Sequence, residues 1–207
     1  MARGCGAEDV SDCAILILAA GASSRMRGGD KLLEQVAGRP LLRLMLERAV
    51  DVAAGPVLCT LPGPDHPRMA CLDGLPVTPV PVPDASEGMG ASIRAGVSAL
   101  PDGCGAVMIL PADLPELEAE DLRVLMTAWR NDPTAILRAT DQTGNHGHPV
   151  IFPADLFAAL TKCHGDAGAR DVLRTHAERI IAVPLPGHRA TTDLDTPEDW
   201  AAWRASR

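Results

Sequence analysis

No Cys-x-x-Cys pair joins any of the six cysteines, Cys5, Cys13, Cys59, Cys71, Cys104 and Cys163. Zinc sites need closer ligand spacing and disulfide frameworks belong to small secreted chains, so free thiols in a reducing cytosol are expected. Residues 1–13 lack the apolar centre of a signal peptide. No apolar run approaches the roughly 20 residues that a membrane-spanning helix needs. A cytoplasmic protein is therefore expected, with residues 1–13 a disordered polar lead and 14–207 a single domain. Positive charge is also in deficit: 19 Lys and Arg against 27 Asp and Glu leave a net charge of −8. Such a chain has no general electrostatic affinity for nucleic acid or an anionic membrane, and neither is expected as a partner. A polyanionic substrate would have to be held by local cations and a metal. Ser-His-Asp and Cys-His constellations, internal repeats and low-complexity tracts are absent as well.

What is present suffices for one sizeable core: 207 residues, 46% of them apolar. Short apolar runs alternate with longer stretches of helical spacing. Strands are expected at 14–18, 56–61, 77–82, 106–110, 135–137, 150–152 and 179–183. The prolines of the 77–82 run put that strand at an edge or end. Helices are expected at 41–54, 89–100, 118–130, 154–160 and 168–177, and after Thr196. This alternation predicts an α/β fold, a single-domain, mostly parallel sheet with helices on both faces. Ligands on such sheets bind beyond the carboxyl ends of the strands.

The first strand opens into Leu18-Ala19-Ala20-Gly21-Ala22-Ser23-Ser24-Arg25-Met26, with Lys31 shortly after. Small residues let the backbone approach an anion, successive N–H groups can point at it, and the cations neutralise it. No Gly-Lys-Ser/Thr closes this loop and it lacks the Gly-x-Gly-x-x-Gly spacing, so neither a P-loop nor a dinucleotide fingerprint is present. A plain strand-to-loop turn with surface charges would look the same. Asp113 follows the strand at 106–110, on the same sheet edge, where a carboxylate can hold a hard cation such as Mg2+ with help from substrate phosphates. A turn aspartate between prolines is the alternative. Gly88-Met89-Gly90-Ala91-Ser92 sets two glycines before a helix and permits close approach to a base or ribose. Near the carboxyl end Thr196-Pro197-Glu198-Asp199 is explained by helix initiation alone. Asp193 and Asp195, two apart in an extended segment, could both face one metal.

Six blocks taken together resemble the nucleotidyltransferases related to the molybdenum cofactor cytidylyltransferases and guanylyltransferases. They are Leu18–Met26 with Lys31-Leu32-Leu33, Glu87–Gly96, Pro111–Pro115, Gly147–Phe152, Gly165–Arg170 and Asp193–Asp199, in the family's order over roughly residues 14 to 203. The resemblance implies a Rossmann-like nucleotidyltransferase fold and a Mg2+-dependent transfer of CMP from CTP to the phosphate of a molybdopterin-type cofactor, with pyrophosphate released. It implies Arg25, Lys31 and Asp113 as catalytic residues. Leu18, Ala19, Ala20, Gly21, Ser23, Asp84, Gly88, Met89, Gly90 and Ser92 would join Arg25 and Lys31 in binding nucleotide. Asp113 and Asp195 would hold the metal, with Asp193 as the alternate. His146, His148, Asp166 and Arg170 would meet the second substrate. Ala20, where guanylyltransferases tend to carry glycine, implies cytosine by narrowing the room for a purine. Two alternatives remain open: another small phosphorylated acceptor, such as a sugar or polyol phosphate, and a cofactor carrier with little turnover that serves a molybdoenzyme.

Overall fold

The computed structural model describes residues 12–207. Most of the expected polar lead, residues 1–11, lies outside the described residues. Its last member, Cys13, instead opens the first strand and is fully buried. In chain order the elements are β1 (Cys13–Leu18), a small hairpin of β2 (Gln35–Val36) and β3 (Arg39–Pro40), α1 (Leu41–Val52), β4 (Val57–Leu61) and β5 (Val77–Pro81). Then come α2 (Met89–Ser98), β6 (Ala106–Pro111), α3 (Ala119–Asn131), β7 (Ile136–Thr140) and β8 (His146–Pro153). The chain finishes with α4 (Phe157–Leu160), α5 (Arg170–Thr175), β9 (Ile180–Pro184) and α6 (Pro197–Ala205).

Seven strands form one sheet in the order β5-β4-β1-β6-β8-β7-β9. The proline-bearing β5 takes one edge, where its missing N–H groups cost no ladder bonds. Every pairing is parallel except those of β8, which runs against both β6 and β7. Its reversal follows from length, because the 141–145 connection is far too short for a parallel crossover. The buried Asp141 closes that turn, accepting hydrogen bonds from the backbone N–H of Thr143 at 2.9 Å and of Asn145 at 3.0 Å.

Alternation along the strands divides the core in two. Ile15, Ile17, Met108, Leu110, Leu137 and Ile151 face α1, α3 and the two tryptophans of α6. Leu16, Val107, Ile109, Ile136, Val150 and Phe152 face α2, α4 and α5. Helices thus cover both faces, as the sequence predicts. The helix expected at 154–160 is a short 3-10 turn followed by α4, and the one expected at 168–177 contracts to α5. The β2–β3 hairpin and a 3-10 helix over Pro67–Leu72 carry no apolar periodicity and escape a sequence reading. Among the described residues no helix is long and apolar enough to cross a membrane. The parallel strands β1 and β6 end side by side, with the Ala112 N–H donating to the Leu18 carbonyl at 3.2 Å, so the loops that follow them share one edge.

Candidate active site

The loop after β1 is held open by local backbone geometry and by one arginine. Ser23 and Arg27 take left-handed conformations at φ 50° and 52°, bracketing a single 3-10 turn. Arg68, on the 3-10 helix after β4, is only 1% exposed and lies beneath the loop. Its guanidinium donates to the carbonyls of Ala19 at 2.6 Å and Gly21 at 2.8 Å, and to Ser23 Oγ at 2.9 Å. It also makes a fork to Asp30, at 2.8 and 2.7 Å. Burial works against the charge on Asp30, but the Arg68 hydrogen bonds and charge outweigh it and hold the carboxyl below its ordinary range. Neither Arg68 nor Asp30 belongs to a motif; 38 positions separate them, and no pattern in the sequence pairs them.

Lys31 reaches from the end of this loop to two carboxylates. Its Nζ lies 2.5 Å from Asp113 Oδ2 and 2.6 Å from Asp195 Oδ1. Burial disfavours the ammonium, yet the two carboxylates prevail and its pKa is raised. Arg25 pairs with the other oxygen of Asp195 at 2.7 Å. Asp195 is fixed by the start of α6, where the Asp199 carboxylate accepts from the N–H of Asp195 at 3.2 Å and of Thr196 at 2.9 Å. Thr196 Oγ1 accepts in return from the Asp199 N–H, which completes a capping box. Asp199 is therefore accounted for by helix initiation. Asp193 joins the same wall; burial first, then the charges of Asp113 and Asp195, raise its pKa.

These groups line a cavity of about 660 Å3 at the sheet edge. Leu18, Ala19, Ala20, Gly21, Ser23, Arg25 and Lys31 border it on one side. Gly88, Met89 and Ser92 border it on another, and Asp113 and Asp195 stand between. Asp166 and Arg170 reach it from the loop before α5. Four sequence candidates do not line it: Asp84, Gly90, His146 and His148. Asp84 is taken by Arg94, which also bonds Glu87 at 3.0 Å. Gly90 is buried against the His164 backbone, which leaves no room for a side chain, and its N–H donates to the Gly165 carbonyl. Gly88, at φ 108°, likewise leaves room for Asp166. The glycines of this block thus seat the 164–166 loop on α2, and Gly88 in addition faces the cavity. His146 is exposed at the strand entrance. His148 has a completely enclosed Nδ1 with no hydrogen-bond partner among the described residues, and burial pulls its pKa down to about 4. Ala20 borders the cavity but is only 2% exposed, with its methyl packed on Val82 and Ala91. Any effect of that methyl on base size must act through the spacing between the loop and α2.

Among the described residues no group of three or more His, Cys, Asp or Glu side chains forms a ready cation cage. The donor set nevertheless fits a hard cation. Two carboxylates converge on one point, which Lys31 fills with positive charge, and Mg2+ commonly takes only one or two protein carboxylates together with substrate phosphates.

The chain is similar to known proteins in sequence and in fold. The model of the MobA-like NTP transferase domain matches residues 15–180. The bifunctional protein GlmU of Clavibacter sepedonicus is 37% identical over 142 residues, covering 64% of this chain and 28% of GlmU. The GlmU of Rhodococcus opacus is 35% identical over 157 residues, covering 69% and 31%. The chain thus spans about a third of the length of these relatives. Among solved structures, Rv0371c from Mycobacterium tuberculosis superposes with a TM-score of 0.81 at 22% identity, over 93% of this chain and 97% of that one. The same protein has been crystallised with manganese. A CMP:2-keto-3-deoxy-manno-octonic acid synthetase complexed with CTP gives a TM-score of 0.73 at 16% identity, over 95% and 98%. At such identities these structures speak for the fold. With a family model that covers most of its length, the chain belongs to the MobA-like NTP transferases, a nucleotidyltransferase family.

Proposed function

We propose that this protein transfers CMP from CTP to the phosphate of a molybdopterin-type cofactor, releasing pyrophosphate with the help of Mg2+. The observation that carries the reading is Lys31 pinned between Asp113 and Asp195 at the mouth of a small-residue loop. The loop of Ala19, Ala20, Gly21 and Ser23 would receive the triphosphate, and Leu18, Gly88, Met89 and Ser92 the ribose and base. Arg25 and Lys31 would neutralise the phosphates and the charge that develops on departing pyrophosphate. Asp113 and Asp195 would hold Mg2+, whose chemistry is to withdraw charge from the reacting phosphate and the leaving group.

An oxygen of the acceptor phosphate, already anionic, attacks the α-phosphorus of CTP. The new P–O bond forms as the bond from the α-phosphorus to the bridging oxygen breaks, and pyrophosphate leaves with that electron pair. No proton has to move, so a nucleophile–base pair is unnecessary. Alignment and charge neutralisation suffice. CTP is favoured as donor by Ala20 and by the CTP-bound structural neighbour. That neighbour, a synthetase of a CMP-sugar acid by its name, keeps another small acceptor as a second reading. A carrier is the third, and no molybdoenzyme partner is needed to separate them. Incubation with each of the four nucleoside triphosphates, with and without the molybdenum cofactor, followed by product mass, tests the assignment. A CMP adduct of the cofactor is expected. An adduct with GMP, or none with this acceptor, would overturn the respective part.

A further inference from the structure

The hydroxyl of Ser23 is fully engaged within the chain. Ser23 is half-buried beside the cavity, in the left-handed backbone region at φ 50°. A residue with a side chain stays there only where its surroundings hold it. Its hydroxyl has one proton to donate and two lone pairs with which to accept. The proton goes to Asp30 Oδ1 at 3.3 Å. The lone pairs take the Arg68 guanidinium at 2.9 Å and the Lys31 backbone N–H at 3.3 Å. A phosphate oxygen needs a donor, and this hydroxyl has no second proton to offer.

Asp30 acts from the other side of Lys31. Its Oδ1 accepts the Leu32 N–H at 3.0 Å and one arm of Arg68 at 2.7 Å, and its Oδ2 accepts the second arm at 2.8 Å. The N–H groups of Lys31 and Leu32 are thus held by two side chains that one buried guanidinium ties together. Lysine is a flexible four-carbon stem with a point charge at its end, so a fixed backbone narrows where the charge can sit. Here that charge lies 2.5 Å from Asp113 and 2.6 Å from Asp195. A buried ion pair such as Arg68–Asp30 is often no more stabilising than apolar residues of the same volume. What distinguishes it is the single arrangement of donors and acceptors that it imposes.

We propose that Ser23 and Asp30, braced by Arg68, are positioning residues that fix the backbone of Lys31 and so aim its ammonium, and that the Ser23 hydroxyl is not a nucleotide ligand. This departs from the ligand role that the resemblance implies for Ser23, and leaves its backbone N–H as the group it can offer an anion. The positioning stands on the hydrogen bonds alone, whereas its catalytic consequence rests on the nucleotidyl-transfer reading.

The sequence holds two lysines, Lys31 and the exposed Lys162, so Lys162→Arg suffices to assign the ammonium region of a nitrogen–proton NMR spectrum of the whole protein. In cool, mildly acidic solution the Lys31 ammonium should give a sharp signal, and Ser23→Ala and Asp30→Asn should each lose it to exchange with water. No Lys31 signal in the native protein, or the native signal in Ser23→Ala, would overturn the positioning. Should Asp30→Asn fail to fold with Arg68 unpaired, Ser23→Ala decides alone. Steady-state kinetics with CTP and the acceptor read the consequence. Ser23→Ala should lower kcat at least about tenfold and change KM for CTP less than about twofold, because a misaimed group is missed chiefly in the transition state. A raised KM at unchanged kcat would restore the hydroxyl as a nucleotide ligand and overturn its role here. Loss of the signal in Ser23→Ala, with no nucleotidyl transfer by the native protein, removes the transfer reading and keeps the positioning. Transfer by the native protein with the signal unchanged in Ser23→Ala removes the positioning alone.

Discussion

On the loop side of the cavity the cations are already paired within the chain: Arg68 with Asp30, Lys31 with Asp113 and Asp195, and Arg25 with Asp195. Towards β7, β8 and α5, Arg138 and Arg170 have no acidic partner among the described residues, and His148 Nδ1 makes no hydrogen bond with them. The difference is one of charge balance within the chain. Where carboxylates and ammonium are interleaved, the resting charge is balanced within the chain, and under the proposed function a triphosphate with its cation would exchange partners there. Where the cations stand alone, their charge is left unbalanced among the described residues.

The widest effect should come from breaking the exchange on the loop side. Lys31→Ala should lower turnover by at least about a hundredfold while the fold persists, as oxyanion-type donors commonly do. Asp113→Asn should remove metal-dependent turnover and change the melting temperature only slightly. Early melting with an unchanged rate per folded molecule would instead make Asp113 a structural turn residue.

Next in size is the buttress beneath that loop. Arg68→Met retains bulk but leaves Asp30 and the Ala19 and Gly21 carbonyls without their donor, and removing one partner of a buried pair costs about 3–5 kcal/mol. Urea unfolding should show a loss of that order, and nucleotide affinity should fall with it. Unchanged stability would mean that the loop shapes itself.

His148 sharpens the other side. Its folded pKa, about 4, lies below the ordinary 6.5, so the fold favours the neutral ring. That contribution is complete above pH 6.5 and is lost as pH falls towards 4, up to about 3 kcal/mol in all. The stability of His148→Gln should therefore fall less steeply than that of the native protein between pH 7 and 4.5. Parallel pH curves would show that the ring is not buried neutral.

The smallest effect concerns base choice. One methyl in a pocket is worth about 1–3 kcal/mol in selectivity. The Ala20 methyl packs on Val82 and Ala91, so Ala20→Gly should narrow the CTP to GTP ratio of kcat/KM by no more than about tenfold.

Legibility in the sequence followed the same divide. Lys31, Arg25 and the small-residue loop stand within a few positions of one strand end, and Asp113 ends a run that can only be a buried strand. Their convergence follows from topology. Arg68 carries no such mark, because it enters the site from a 3-10 helix whose place under the loop only the folded sheet fixes. Arg138 is hidden by its apolar neighbours, Ala135-Ile136-Leu137, which show a strand but not which face the one charge takes. Asp84 shows the opposite failure: an acid beside glycines looks available to nucleotide until Arg94, 10 positions further on in α2, is seen to bind it. The reversal of β8 is missed for a similar reason, since apolar runs mark strands without giving their direction.

Pyrophosphate release with CTP and the molybdenum cofactor, in the presence and absence of Mg2+, bears most directly on the account. It predicts Mg2+-dependent release matched mole for mole by a CMP adduct of the cofactor, faster with CTP than with GTP. Tight binding of both molecules without pyrophosphate would contradict it and make the protein a carrier.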